Sequence, residues 1–154
     1  MSQFLKTYKI TKDWVDYNSH LNMAYYVLIF DKAWEVMLEK FQMGEASAKT
    51  TQKSTMVVET HTTYNNEVKE NEEVNINLIF FDHDKKRLHF KLEMIEKSSK
   101  KLSATIEMIS LYVDLKERRV AEFEENKLEL MDNFISTNKS EFTSDLKFSS
   151  KLKK

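Results

Sequence analysis

The length, charge and cysteine content of the chain exclude several classes of protein. Its 154 residues suit one domain with a sizeable core, and 24 Lys and Arg against 25 Asp and Glu leave a net charge of -1, so no charge excess recruits nucleic acid or an anionic membrane. No apolar stretch is long enough to span a bilayer, and the absence of cysteine excludes a disulfide framework and a thiolate nucleophile. The first residues lack a signal-peptide pattern, so we expect a cytoplasmic protein without nucleic-acid or membrane partners.

The first predicted elements are a short strand and a long helix. Residues 4–11 alternate between apolar and polar side chains, as a strand does. Residues 23–41 carry the longest helical pattern, and because its first half is apolar all round we predict that other structure wraps it. Gly44, the only glycine, is expected to cap the C-terminus of this helix, and residues 45–53 are predicted to form a polar connection.

Four further strands predict a curved antiparallel sheet. Residues 55–64 are rich in β-branched side chains, and residues 74–80 and 88–94 alternate with a period of two. The alternation continues over residues 102–113 but changes phase at Ile109, which predicts a β-bulge. Taken in order, the strands form a meander that curls around the long helix. The predicted class is therefore α+β, with a central helix wrapped by a sheet of about five strands.

The C-terminal part is predicted to add one short helix and a tail. Residues 124–134 have helical spacing, whereas the chain from Asn138 onward is rich in Lys, Ser and Asn. We therefore expect one domain over residues 1–137 and a flexible, mildly basic tail over residues 138–154.

A polar cluster directly before the long helix is the strongest candidate for a functional site. It contains Asp16, His20 and Asn22. A helix N-terminus offers unpaired N–H groups and a partial positive charge, so a carboxylate beside it can act as a base or nucleophile next to an anion site. The alternative is an ordinary helix cap, because Asn and Asp are preferred at that position.

Three stretches of the chain carry a recognisable pattern. The first is an Asp, three residues, a His, one residue, an Asn and then a Tyr at the start of the central helix, formed here by Asp16, His20, Asn22 and Tyr26. Together with residues 58–64 and 81–89, it makes the chain resemble the hotdog-fold acyl-CoA thioesterases of the 4-hydroxybenzoyl-CoA thioesterase type. The two later stretches resemble a narrower branch, the thioesterases of carnitine breakdown that hydrolyse betainyl-CoA.

The resemblance implies an enzyme that hydrolyses a small or medium acyl-CoA thioester, and betainyl-CoA is one candidate for this substrate. Coenzyme A enters as part of the substrate, and neither a further cofactor nor a metal is implied. The resemblance also implies a homodimer or homotetramer with sites between subunits. The implied catalytic residues are Asp16, His20, Asn22, Met23 and Tyr26.

Within this set, the resemblance assigns two roles directly. Asp16 is the nucleophile or the general base, and the backbone N–H of Met23 is the donor to the oxygen that becomes negative. His20 and Asn22 orient the carboxylate, hold the water or cap the helix. Many relatives have glycine where Ser19 stands, so we expect strain in this turn if it requires a positive φ.

Other residues are candidates for contact with the substrate. They are Trp14, Tyr17, Glu59, His61, Tyr64 and Arg87. Trp14, Tyr17 and Tyr64, with Tyr25, could surround a quaternary ammonium acyl group, although aromatic residues more often belong to a core. Glu59 is also the second candidate for the base.

Two alternatives remain open. His61, His83 and His89 with neighbouring aspartates suggest a metal site, but solvated hairpin residues explain them better, because the two later histidines lie on different predicted strands. The alternative function is a non-catalytic module that binds acyl-CoA or an acyl carrier protein. Release of free thiol from an acyl-CoA separates the two functions.

Overall fold

A long helix lies against one face of a curved antiparallel sheet. The structure is a computed structural model and describes residues 3–143 and 145–154. Its helices and strands are, in chain order, β1 (Gln3–Lys9), α1 (Met23–Lys40), α2 (Glu45–Thr51), β2 (Lys53–Tyr64), β3 (Glu73–His83), β4 (Arg87–Glu96), β5 (Leu102–Asp114), β6 (Arg119–Val120) and α3 (Glu125–Asn138). Short 3₁₀ helices occur at Lys12–Trp14, Lys139–Glu141 and Ser149–Lys151. Within the described ranges, no helix combines the length and the hydropathy that a transmembrane span requires.

The strand order confirms the predicted architecture and corrects one part of its topology. The order is β1-β3-β4-β5-β2, all antiparallel, and the short β6 pairs with the end of β5. The predicted meander is right for β3, β4 and β5, but β2 pairs with β5 and not with β3. The edge of β3 is already occupied by β1. As a result β2 forms one edge of the sheet.

The predicted bulge lies on the neighbouring strand. The register between β2 and β5 shifts between Val57 and Glu59, which face Ser110 and Ile109. The extra residue is therefore Val58 on β2, whereas β5 keeps its alternation through this point. The sequence of β5 misled the prediction because Ile109 is apolar on the outer face, where it is nevertheless buried.

Helix α1 packs one face onto the sheet, and this contact forms the centre of the core. The buried residues of α1 are Tyr26, Ile29, Phe30, Ala33, Trp34, Met37 and Leu38. Trp34 stacks on Phe90 of β4 with ring centroids 3.6 Å apart. The prediction that the first half of the helix is wrapped on every side is wrong, because Met23 and Val27 are 69% and 36% exposed. One sheet covers only the side of the helix that faces it.

Gly44 does not cap α1 as predicted. The helix ends at Lys40, and Gln42 takes the left-handed conformation, with φ 59°. Gly44 is instead the N-cap of α2, at φ -78°, in the segment that the sequence predicted as a plain connection. A Cβ atom at Gly44 would lie 2.7 Å from Glu39 Cγ and 2.8 Å from Glu35 Oε1, so this glycine allows a close approach of the chain to α1.

The C-terminal segment packs against the outer face of the sheet, where the sequence predicted a flexible tail. Phe148 is buried, and the ring of Phe142 lies 5.6 Å from that of Phe80 on β3. The buried carboxylate of Glu107 on β5 accepts hydrogen bonds from the backbone N–H groups of Lys147 and Phe148. Two phenylalanines that are isolated in the sequence thus have partners in space: Phe142 lies beside Phe80, and Phe148 lies beside the ring of His89 at 6.5 Å.

Candidate active site

The polar cluster forms a tight turn that holds the carboxylate of Asp16. Val15 and Leu21 pair as an antiparallel bridge, and the N–H of Asp16 donates to the carbonyl of His20 at 2.9 Å. Oδ1 of Asp16 accepts the N–H groups of Asn18 at 2.8 Å and His20 at 3.3 Å. We call residues 15–21 the Asp16 turn. The carboxylate is half-buried, and the backbone of this turn sets its orientation.

The Asp16 turn contains the backbone strain that the sequence suggested. The backbone N–H of Ser19 donates to the carbonyl of Asp16 at 3.0 Å, and Ser19 has a φ of 63°. An L-residue other than glycine occupies this left-handed region at a cost of roughly 1–2 kcal/mol. The turn is thus formed against the local preference of its sequence.

Asn22 joins the Asp16 turn to helix α1. Its side chain is the N-cap and accepts the N–H of Ala24 at 3.0 Å, while its backbone N–H donates to the carbonyl of Trp14 at 3.0 Å. The N–H of Met23, the first helical residue, has no acceptor among the described residues. The helix dipole adds a partial positive charge of about 0.5 at this end. An unpaired donor in that position can bind a developing oxyanion.

A second loop fixes the Asp16 turn from the other side. This loop, residues 65–72, connects β2 to β3 and is called the β2–β3 loop here. Val68 accepts the N–H of Leu21 at 2.7 Å, and the N–H of Glu70 donates to the carbonyl of Ser19 at 3.1 Å. The side chain of Glu67 lies 3.3 Å from Nε2 of His20. No sequence pattern predicts a role for Glu67, because a contact between distant segments leaves no regular spacing.

Aromatic side chains flank the start of α1 in two pairs. The buried Tyr26 meets Tyr64 edge to face at 5.1 Å, and Tyr64 Oη donates to the carbonyl of Met23 at 3.4 Å. Burial raises the pKa of Tyr26, and a backbone hydrogen bond at Val68 opposes this only in part. Tyr26 therefore keeps its proton at neutral pH. In the second pair, Trp14 stacks on Tyr25 with ring centroids 6.3 Å apart.

The predicted aromatic box is not closed within one chain. Tyr17 lies in the Asp16 turn with 95% of its surface exposed and belongs to neither aromatic pair. Trp14 and Tyr64 belong to different pairs, and no ring contact joins them among the described residues. A box would need further groups from elsewhere.

Three other candidates for substrate contact lie away from the Asp16 turn in the same chain. Along β5, the partner of Tyr64 is Ala104, that of His61 is Glu107, and that of Glu59 is Ile109. Arg87 pairs with Leu111, seven residues beyond Ala104, or about 23 Å at the rise of a strand. Arg87 also forms an ion pair with Asp84 at 2.9 Å. Within one chain, therefore, Arg87 is remote from Asp16.

The histidines of the hairpin are not solvated as expected. His83 is buried, and its Nε2 lies 2.6 Å from Asp132 Oδ1 on α3. His89 is buried beneath the C-terminal segment, with Nε2 at 2.7 Å from Glu107. Each ring thus has a carboxylate partner, and the described residues contain no group of three or more possible ligands that could hold a metal.

Most of the chain matches a known protein family. The sequence model of the Thioesterase-like superfamily matches residues 10–133, which include the Asp16 turn, α1 and the whole sheet from β2 to β6. The chain belongs to this superfamily. Membership confirms the predicted family and hotdog fold, and it places the protein among the thioester hydrolases.

Two known proteins are similar to the chain in sequence. The betainyl-CoA thioesterase of Pseudomonas aeruginosa is 33% identical over 126 residues, which cover 80% of this chain and 79% of that one. The L-carnitine dehydrogenase/betainyl-CoA thioesterase of Rhizobium meliloti is 30% identical over 108 residues, 70% of this chain and 22% of that protein.

Solved structures support the same fold. A hypothetical protein from Staphylococcus aureus in complex with CoA has a TM-score of 0.81 at 21% identity, over 100% of this chain and 95% of that one. A DHNA-CoA thioesterase from Staphylococcus aureus has a TM-score of 0.80 at 12% identity, over 90% of this chain and 93% of that one. At these identities the likeness shows the fold alone.

Proposed function

We propose that the protein is an acyl-CoA thioesterase that converts an acyl-CoA and water into the free acid and coenzyme A. The observation that carries the proposal is the geometry at the start of α1. The Asp16 turn presents an oriented carboxylate and leads directly into a helix whose first N–H, that of Met23, is unpaired. Similarity to the two relatives named betainyl-CoA thioesterase supports the CoA thioester as substrate.

In the proposed reaction, the thioester carbonyl oxygen accepts a hydrogen bond from the Met23 N–H. Asp16 either attacks the carbonyl carbon or removes a proton from the water that attacks it. The carbonyl oxygen becomes negative and is stabilised by the donor and the helix dipole. The C–S bond then breaks, and the thiolate of coenzyme A leaves and takes up a proton. When water is the nucleophile, the free acid is released at this step; when Asp16 is the nucleophile, a water molecule first hydrolyses the anhydride and so restores Asp16 and frees the acid. The two routes differ in whether an anhydride with Asp16 forms.

The remaining catalytic candidates have supporting roles in this proposal. The backbone N–H of His20 helps to hold Oδ1 of Asp16, and Asn22 fixes the start of α1 as its N-cap. The buried hydroxyl of Tyr26 lies one turn further along the helix and keeps the β2–β3 loop in contact with it. These residues place the carboxylate and the N–H donor on a rigid element, as catalysis requires.

We further propose that the active unit is a homodimer or a larger oligomer. The edge strand β2 exposes Met56, Val57 and Val58, and an exposed apolar edge calls for a partner strand. A cavity of about 600 Å³ lies between α2 and the end of β5, away from the Asp16 turn. A partner chain at β2 would complete a cleft at the turn and bring its own Glu59 and His61 towards it.

The acyl group that we propose is that of betainyl-CoA, a trimethylammonium acid. Its cation would lie against the exposed aromatic faces of Trp14 and Tyr64, which attract a quaternary ammonium group. Similarity to the Pseudomonas aeruginosa betainyl-CoA thioesterase supports this choice. A neutral small or medium acyl chain would gain no cation–π attraction at the same place.

A thiol-release assay over a panel of acyl-CoAs tests the proposal. The panel contains betainyl-CoA, an aromatic acyl-CoA and medium-chain acyl-CoAs, and it compares the parent with Asp16→Asn, which keeps the shape of the side chain but not its charge. We expect release by the parent and a loss of at least about 100-fold in the variant. Binding of acyl-CoA without release in the parent would instead indicate a non-catalytic module. Equal rates in parent and variant would remove Asp16 from the mechanism.

A further inference from the structure

The side chain of His20 lies close to a carboxylate on the opposite loop. Nε2 of His20 lies 3.3 Å from Oε2 of Glu67, and the two side chains are 35% and 60% exposed. Such an exposed pair contributes little to stability. Its position is informative nevertheless, because His20 is the only imidazole of the Asp16 turn and lies four residues from the Asp16 carboxylate.

The backbone places Glu67 at this point by contacts that do not involve its side chain. The neighbouring Val68 accepts the N–H of Leu21 at 2.7 Å and is fully buried. Glu70 donates its N–H to Ser19, and Lys69 pairs with His20 as a β-bridge. Glu67 therefore belongs to a loop whose backbone is already held against the Asp16 turn. Its contact with His20 costs little additional conformational entropy of the loop backbone.

The carboxylate of Glu67 also acts on Tyr26. Burial is the main cause that raises the pKa of Tyr26, and the charge of Glu67 adds to it. The same carboxylate is thus close to two of the residues proposed for the site. The other charged groups of the β2–β3 loop are Lys69, Glu70 and Glu72, and Glu72 Oε1 accepts the N–H of Lys69 at 2.6 Å.

We propose that Glu67 is a positioning residue for the hydrolysis and acts through His20. In this proposal its carboxylate, which lies 3.3 Å from Nε2, takes the Nε2–H of the neutral imidazole as a hydrogen bond during the reaction, which fixes the ring plane and selects the tautomer whose Nδ1 carries the lone pair. Nδ1 then accepts a hydrogen bond from the attacking water and orients it towards the thioester. No proton passes to Glu67 in this role. The inference rests on the proposed function, because it assigns His20 to the water of that reaction.

A double-mutant cycle tests the proposal with the full chain. The variants are Glu67→Gln, His20→Asn and the pair, and Glu70→Gln is the control with the same charge change in the same loop. We expect Glu67→Gln to lower kcat about two- to fivefold with an unchanged KM, as suits an exposed pair. Glu67→Gln should have no further effect once His20→Asn is present, and Glu70→Gln should match the parent.

A spectroscopic measurement separates positioning from a merely structural role. The nitrogen-15 NMR shifts of the His20 ring should report one dominant neutral tautomer in the parent and a mixture in Glu67→Gln. Unfolding in urea should show the same midpoint concentration for both proteins, as expected for a surface substitution. Losses that simply add in the double variant, or a ring that keeps one tautomer in Glu67→Gln, would overturn the proposal.

The design distinguishes the failure of this inference from the failure of the proposed function. An active parent, an inactive Asp16→Asn variant and a Glu67→Gln variant with the kcat of the parent would overturn the role of Glu67 alone. A parent that releases no thiol from any acyl-CoA of the panel would overturn both. A structural role for the loop would appear as lower stability in Glu67→Gln with additive kinetics, which also contradicts the inference.

Discussion

The carboxylate of Glu124 is expected to make the fold sensitive to acid. It accepts hydrogen bonds from the hydroxyl of Tyr112 on β5 and pairs with Lys53 at 3.0 Å and Lys127 at 3.1 Å. Burial opposes its ionisation, but these donors outweigh burial and lower the pKa of Glu124 to about 2 from the usual 4.5. Glu124 thereby ties the start of α3 to the ends of β2 and β5.

The size of the effect follows from this pKa. A tenfold change in acidity is worth about 1.4 kcal/mol, so full linkage would give about 3 kcal/mol. Because 33% of the side chain is exposed to screening water, we expect about 1–2 kcal/mol. A lowered pKa means that the contribution is complete above the unfolded value of 4.5 and is lost as the pH falls towards 2.

Urea unfolding of the parent and of Glu124→Gln at several pH values measures this contribution. We expect Glu124→Gln to be less stable by about 1–2 kcal/mol at pH 7.5, and about half of that difference to remain near pH 3. Glu122→Gln, an exposed carboxylate two residues away, is the matched control and should behave like the parent. A difference that stays constant from pH 7.5 to pH 3 would refute the reasoning, because it would show packing and not charge.

Three further substitutions probe the site itself. Ser19→Gly should leave stability unchanged or raise it by up to about 1 kcal/mol in urea unfolding, since relief at φ 63° offsets the entropy of glycine; a clear loss would contradict a strained turn. Asn22→Ala should lower stability by about 1 kcal/mol through the lost N-cap and also lower kcat, and retention of both would exclude its capping role. Trp14→Ala should raise KM for betainyl-CoA about two- to thirtyfold while a neutral acyl-CoA of similar size changes less, and equal changes would remove the aromatic contact.

The parts of the site that the sequence predicted are those made by neighbouring residues. Asp16, His20 and Asn22 lie within one turn, and hydrogen bonds between residues a few positions apart hold it. Ser19 stood out only through the family resemblance, because many relatives have glycine there, and its φ of 63° shows that the turn does require a left-handed residue. Strand alternation likewise identified β3, β4 and β5, since one face of each is buried.

The errors at Gly44 and α2 are local, whereas the errors about the sheet, the C-terminal segment and the site concern partners that lie far apart in the sequence. Alternation shows which face of a strand is buried but not which strand lies beside it, so the place of β2 next to β5 was missed. Phe148 looked isolated because its partner Glu107 lies on another strand, and His89 looked solvated for the same reason. Glu67 was missed because its role depends entirely on the approach of the β2–β3 loop to His20.

Several local rules of stability are broken together at one end of α1. Ser19 holds a conformation that glycine would hold more easily, and the N–H of Met23 has no acceptor among the described residues. Met23 and Val27 expose apolar surface in the part of the helix whose pattern predicts burial, whereas Trp34 and Met37 further along are buried as expected. The strain at Ser19 and the bare apolar surface cost free energy in the isolated chain. The N–H of Met23 is accessible to an acceptor from outside the chain. A thioester would supply that acceptor and a partner chain would cover the apolar surface, and this coincidence beside Asp16 is what binding at that end would explain.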